Sequence, residues 1–307
     1  MLAPAKISKP QNFSTSLIKR KLEPYGFISP TVLLLLLLMV IPVFLVIRYS
    51  FMDNVIVNQN PLFVGLENYR NMIADERFII AVKNTAFFTI VSVIAHLIIG
   101  LSFATLLNSE LLSKTSRTIF RMIYILPWLF TVAIIAILWR MILNPLGVLN
   151  YIIMSLGISQ NQTEWLSNES TALLAVTFIN IWAGYPFYMI SLLAGLQGIP
   201  KDLHEAALVD GATGFQKFWN VTLPHLKPLI ISMFILDLIW TSQQFALIWM
   251  TTGGGPLSAT EMLGTYTYKL AFSQYEFSQA STSAVFLFLI SMGLALVYNR
   301  TQRAREQ

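Results

Sequence analysis

The stretch His204–Pro224, HEAALVDGATGFQKFWNVTLP, is charged and helix-shaped, yet it lies between two apolar runs long enough to cross a bilayer. Just ahead of it, Asp202 with Glu205 three residues on has the form of a capping box. Leu203, Ala206 and Ala207, at i, i+3 and i+4, make a small apolar strip on a two-turn helix. Gly211 stands where such a helix would stop. Thr213 then reads as the cap of a second short helix with Phe215, Phe218, Trp219 and Thr222 on one face, ending at Pro224. Two turns are not stable alone in water, so the element needs its own bundle or a partner to hold it. Two settings suit it: a groove on another protein that receives the smooth alanine strip, and a headgroup layer that takes Phe218 and Trp219.

The rest of the chain decides where this passage sits. Of 307 residues, 55% are hydrophobic and 11% charged, with 21 Phe, 7 Trp and a mean hydropathy of +0.64. That composition cannot coat a water-soluble globule of this size and belongs to a membrane protein. The absence of Cys excludes disulfides, thiolate metal sites and a cysteine nucleophile, and three His, two of them in one loop, do not make a zinc cluster. The net charge of +5 is spread over short loops without interleaved aromatics, so nucleic acid is not an expected partner.

Six apolar windows are expected to be transmembrane helices: Phe27–Ile47, with six consecutive leucines from Leu33 to Leu38, then Thr85–Leu107, Ile119–Leu143, Leu173–Ala194, Leu229–Met250 and Ala280–Tyr298. The first exceeds 15 apolar residues and no small-x-small cleavage site follows it, so it reads as a retained anchor rather than a signal peptide. An even number places both termini on one side. Lysines and arginines identify that side: Lys6, Lys9, Lys19, Arg20 and Lys21 precede the first span, Lys114, Arg117 and Arg121 flank the third, Lys201, Lys217 and Lys227 lie in the passage quoted above or beside it, and Arg300, Arg303 and Arg305 follow the last. Six other basic residues are left for the opposite side, so both ends and the quoted passage are expected to be cytoplasmic. The organisation is a tail over 1–26, one membrane domain over 27–299 with a cytoplasmic loop at 195–227, and a short tail over 300–307. The outer segments Arg48–Arg77 and Asn144–Ser170 read as short helices and turns that cap the bundle.

Glu205-Ala206-Ala207, three residues, Gly211, nine residues, then Val221-x-Leu223-Pro224 resembles the EAA loop of membrane subunits of binding-protein-dependent ATP-binding-cassette importers. Val221 stands where the pattern usually has Ile. The Asp210-Gly211-Ala212 extension, Leu196-Gln197-x-Ile199-Pro200 before it and Thr252-Gly253-Gly254-Gly255-Pro256 after the fifth span are similar to the sugar-type permeases related to maltose and glycerol phosphate uptake. The likeness runs from Val64-Gly65-Leu66-Glu67-Asn68-Tyr69 to the last span. It implies the type I importer permease fold in a bacterial cytoplasmic membrane. It also implies that Glu205, Ala206, Ala207, Asp210, Gly211, Ala212, Leu223 and Pro224 form a coupling element docked in an ATPase subunit. The implied partners are a second permease subunit, two ATPase copies that bind ATP and magnesium, and an extracytoplasmic sugar-binding protein.

The sequence agrees with that division of labour. It contains no G-x-x-x-x-G-K-[ST], so the chain has no P-loop with which to cradle nucleotide phosphates, and no cofactor is expected on it. Six spans without a duplicated half ask for a second chain, identical or distinct, to complete an alternating-access pathway. An ion-coupled transporter would want several intramembrane ionisable groups and an internal repeat, and a membrane enzyme would want H-E-x-x-H, G-x-S-x-G or clustered carboxylates; the chain has neither set. For the cargo path, Asp237, Trp240, Thr241 and Gln244 recur at i, i+3, i+4 and i+7 on the fifth span. Asn180, Gly184, Tyr188 and Ser191 form a comparable stripe on the fourth, with a bend expected at Pro186. Aromatic faces with amides and hydroxyls suit a sugar, while the same groups also hold helices together. An intramembrane Asp237 must face protein or water, and His96 and Arg140 are conceivable partners for it.

Overall fold

A computed structural model describes residues 13–53, 55–109 and 111–306, with backbone alone for 13–23 and 301–306. The basic residues Lys6 and Lys9 of the expected tail therefore lie outside the described residues. The elements are helices α1 (Phe13–Leu35), α2 (Ile41–Tyr49), α3 (Glu67–Ala74), α4 (Glu76–Asn108), α5 (Lys114–Leu129), α6 (Val132–Ile142), α7 (Val148–Ser155), α8 (Glu169–Gln197), α9 (Lys201–Val209), α10 (Gly214–Lys217), α11 (Leu223–Ser242), α12 (Ala246–Thr251), α13 (Leu263–Phe272) and α14 (Phe277–Glu306). No strand occurs among the described residues beyond the isolated bridge Met52 to Phe63. Five of the six expected spans are single long apolar helices. Helix α14 runs through the expected tail at 300–307 as far as Glu306.

The third span differs from its expectation. Instead of one helix over Ile119–Leu143, α5 and α6 meet at a 99° bend. Pro127 sits in the last turn of α5, Phe130 is extended, and Thr131 starts a new helix with its hydroxyl accepting from the Ile134 amide at 3.4 Å. A proline followed by a competent cap is enough to end one helix and begin another inside an apolar run.

Two other prolines are accommodated rather than obeyed. Pro42 and Pro224 each follow a π-helical turn, Leu36–Val40 and Phe218–Thr222, whose closing amides (Ile41 and Leu223) bond to the carbonyl five residues back. The wider turn gives the proline ring room it lacks in a regular α-turn. Pro224 therefore does not end a helix: Gly214–Ser242 is one rod of 29 residues. Pro186 likewise lies inside an uninterrupted α8.

Helices α4 and α8 form the centre of the bundle, with α11 crossing both and α14 outside it against α13 and α2. Toward the loop that carries α9, helices α4, α8 and α11 share a core of Ala104, Leu107, Tyr188, Met189, Leu192, Leu196, Leu226 and Met233. A second core joins α3, α4, α13 and α14 through Met72, Phe78, Leu263, Tyr266 and Ala280, and a third joins α6, α8 and α12 through Ile135, Ile179 and Leu247. By contrast every side chain from Pro24 to Leu45 is exposed. This first span is greasy on all sides and makes no core of its own, as expected for a helix solvated by lipid or by another chain.

Candidate functional site

The quoted passage folds as an elbow. Helix α9 begins after Pro200, so Asp202 lies inside its first turn and no side chain caps it; the capping box expected from Asp202 and Glu205 is not formed. Proline supplies the start instead, by fixing the backbone ahead of the first turn. The stop is as expected. Gly211 is left-handed at φ +76°, its amide donates to the Leu208 carbonyl at 3.0 Å and the Ala212 amide donates to the Ala207 carbonyl at 2.9 Å, a Schellman end that an L side chain would strain. Thr213 then starts α10 with a complete capping box: the Gln216 amide donates to its hydroxyl, and its own amide donates to Gln216 Oε1 at 2.8 Å.

No residue of α9 or α10 is buried. Glu205, Ala206, Asp210, Gly211 and Pro224 are exposed, Ala207, Ala212 and Leu223 half-exposed, and Leu208, Val209, Phe215 and Trp219 present apolar surface. Helix α9 rests on the π-turn Phe218–Thr222. His204 sits inside this elbow, and burial first, then Lys217 and His225, push its imidazole below the usual histidine range. A nine-residue helix with no buried residue is not self-supporting, and the outward face of α9 is open to whatever can cover it. Through Gly211 it is hinged to the rod that becomes α11.

At the far end of that rod the two expected polar stripes meet a third helix. His96 of α4 lies with Nδ1 2.8 Å from Asp237 Oδ2 of α11, and its Nε2–H donates to the Asn180 carbonyl of α8 at 3.1 Å. Thr241 donates to the other carboxylate oxygen at 2.8 Å. Tyr188 faces the same carboxylate with its hydroxyl outside hydrogen-bonding geometry. All five residues are buried. Two glycines permit the approach: a Cβ on Gly184 would stand 2.3 Å from His96 Nε2, and one on Gly100 2.4 Å from the Tyr188 Cβ. Arg140 is not Asp237's partner. It lines a cleft of about 370 Å³ with Asn144, Glu164, Trp165, Thr252 and Pro256 instead.

The expected stripe on the fifth span divides accordingly. Helix α11 ends at Ser242 and Gln244 belongs to the turn before α12, so it does not continue the face of Asp237 and Thr241. The break also shortens the expected span Leu229–Met250. Asp237 and Thr241 turn inward to the helix junction, whereas Trp240 is 57% exposed and packs on Phe187 at 5.7 Å, which in turn lies 6.4 Å from the exposed Trp128. Asn180 and Tyr188 keep their common face but spend it on contact with α4. This aromatic row, spread over three helices, escaped a reading that followed one helix at a time. So did the ion pair of buried Glu261 with half-exposed Lys269 beneath the glycine turn at Gly254, although the Gly-Gly-Gly-Pro run marked the place.

The sequence matches the family described as binding-protein-dependent transport system inner membrane component over residues 96–307. It is 34% identical over 300 residues to the trehalose/maltose transport system permease protein MalF of Thermococcus litoralis, covering 96% of this chain and 99% of that one. It is 32% identical over 281 residues to the sulfoquinovosyl glycerol transport system permease protein SmoG of Agrobacterium fabrum, covering 91% and 90%. The structure superposes with TM-score 0.81 and 25% identity, over 94% of this chain and 98% of the other, on a chain of a bacterial ABC transporter involved in import of the acidic polysaccharide alginate. With the family match covering most of the chain and the fold shared nearly end to end, this chain belongs to the binding-protein-dependent transport system inner membrane components and is an ABC importer permease subunit of that family.

Proposed function

We infer that the chain is the membrane-spanning permease subunit of an ATP-driven importer of sugars or glycosides, forming half of the translocation path. The observation that carries this reading is the elbow at 201–224, an exposed helix hinged at Gly211 to a rod that crosses the bundle, in a chain with no nucleotide-binding motif of its own. The rod is about 43 Å long at 1.5 Å per residue, enough to connect a motor on one membrane face to the middle of the bundle. ATP and magnesium are then held by a separate ATPase subunit, two copies of which grip the elbow and its counterpart on a second permease subunit. Both termini and the elbow lie in the cytoplasm, and an extracytoplasmic binding protein delivers the cargo.

The sugar class draws support from the relatives named for trehalose, maltose and a glycerol glycoside, and from the row Trp128, Phe187 and Trp240, whose two exposed indole rings suit the C–H faces of a saccharide. The test is reconstitution. Proteoliposomes holding this chain with its second permease and ATPase should accumulate sugar only with ATP and the binding protein present. Accumulation by this chain alone would end the proposal, as would labelling of a cysteine placed at Phe215 from the outside of intact cells.

A further inference from the structure

We propose that His96 and Asp237 are positioning residues of the transport stroke: by holding one shared proton they clamp the elbow-bearing rod to both central helices near mid-membrane, so that displacement of the elbow reaches the path. The inference rests on the importer reading above. It starts from hydrogen-bond chemistry. The Asn180 carbonyl can only accept, so His96 Nε2 carries a hydrogen. Nδ1 and Asp237 Oδ2, 2.8 Å apart, must then share one further proton, whether as imidazolium with carboxylate or as imidazole with carboxylic acid. Thr241 supplies the remaining donor to Oδ1.

One ring thus joins three helices: α4 by its own backbone, α11 through Asp237 and α8 through a main-chain oxygen. Gly184 lies against this ring so closely that any side chain there would displace it. The clamp acts about 35 Å along the rod from Gly214, at 1.5 Å per residue, where a swing of the elbow would otherwise dissipate in sliding between apolar helices. Burial of a charged or proton-sharing pair among apolar neighbours is costly to a bundle that could use leucine in its place, so its retention here is attributed to geometry rather than to stability.

The experiment compares Asp237→Leu, His96→Leu and Asp237→Asn in the complete transporter. Its probe is whichever of maltose, trehalose, a glycerol glycoside or a uronate oligosaccharide the unmodified complex accumulates, and it reads ATP hydrolysed per solute moved by equal amounts of assembled complex. Asparagine can donate Nδ2–H to Nδ1 and accept from Thr241, so every hydrogen bond survives without charge. The leucine variants should raise the ATP-to-solute ratio about tenfold, and Asp237→Asn should stay near the original ratio, a difference within the range of measured coupling effects. An unchanged ratio in the leucine variants, with only less complex assembled, overturns the clamp and leaves the importer reading standing. Asp237→Asn failing as fully as Asp237→Leu also overturns it, since a hydrogen-bonded isostere would then not suffice. If the unmodified complex accumulates none of the four solutes, the importer reading fails, and the clamp with it.

Discussion

The elbow and the buried junction at His96 and Asp237 lie toward opposite ends of one rod and are built on opposite principles. No residue of the elbow at 201–217 is fully buried, and its shape is set locally by Pro200, Gly211 and the Thr213–Gln216 capping box. The junction at His96, Asn180 and Asp237 buries every member, and its shape is set by residues as far as 141 positions apart in the chain. One surface is left open; the other is a finished contact. The difference teaches that in this chain the exposed elbow is specified by sequence-local rules, while the part that holds the helices together is specified by fit.

The contrast can be broken most severely at the elbow. Glu205→Lys or Gly211→Asp should abolish uptake, a loss of at least about 100-fold, while leaving the amount of membrane-inserted protein unchanged, because both positions are exposed and the damage falls on docking. Uptake by cells without a redundant transporter, against immunoblot of the membrane fraction, checks this. At the junction the balance should invert. Gly184→Ala drives a methyl into the His96 ring and should cost roughly 1–3 kcal/mol of stability through overpacking, read as earlier thermal aggregation of the solubilised complex.

Trp240→Ala should fall below both. Loss of one exposed aromatic contact is worth about 0.5–1.5 kcal/mol, so transport should slow by about twofold to thirteenfold with assembly and basal ATPase activity intact. Gln244→Ala, at the break after α11, should shift preference among accepted sugars more than overall rate, and identical kinetics for every sugar would remove it from the path. The smallest effect concerns pH. Because His204 is held below its usual range, the folded elbow favours neutral imidazole; its contribution is whole at and above the ordinary histidine value and is lost as pH falls through the lowered one. Docking should weaken slightly on acidification from neutrality, and His204→Gln should flatten that slope.

Much of this is legible in the sequence. The apolar windows gave the spans because hydrocarbon demands length and hydrophobicity and little else. The Gly211 stop and the Thr213 cap were readable because each is a property of four or five consecutive residues. Misreadings occurred where a local rule had a nonlocal escape. Pro224 looked like a helix end until the π-turn ahead of it made room, and Gln244 looked like part of a stripe until the rod stopped at Ser242. The 99° bend inside the third span was hidden by an apolar run that continues across it.

Asp237 shows where the boundary lies. From sequence it needed a partner, because an isolated carboxylate in the membrane is costly, and His96 and Arg140 were both eligible on that ground. Only tertiary structure chose His96, because Gly184 and Gly100 let α4 and α8 approach closely enough to bring the imidazole to the carboxylate, while α6 carries Arg140 away beyond the bend. Sequence by itself determined where the apolar helices lie, the elbow's Gly211 stop and Thr213 cap, and the absence of a nucleotide-binding motif, since solvent preference and local backbone chemistry need no neighbour. Which polar groups meet, and hence what binds the rod to the bundle, was decided by three-body contact between helices, which no periodicity in one of them encodes.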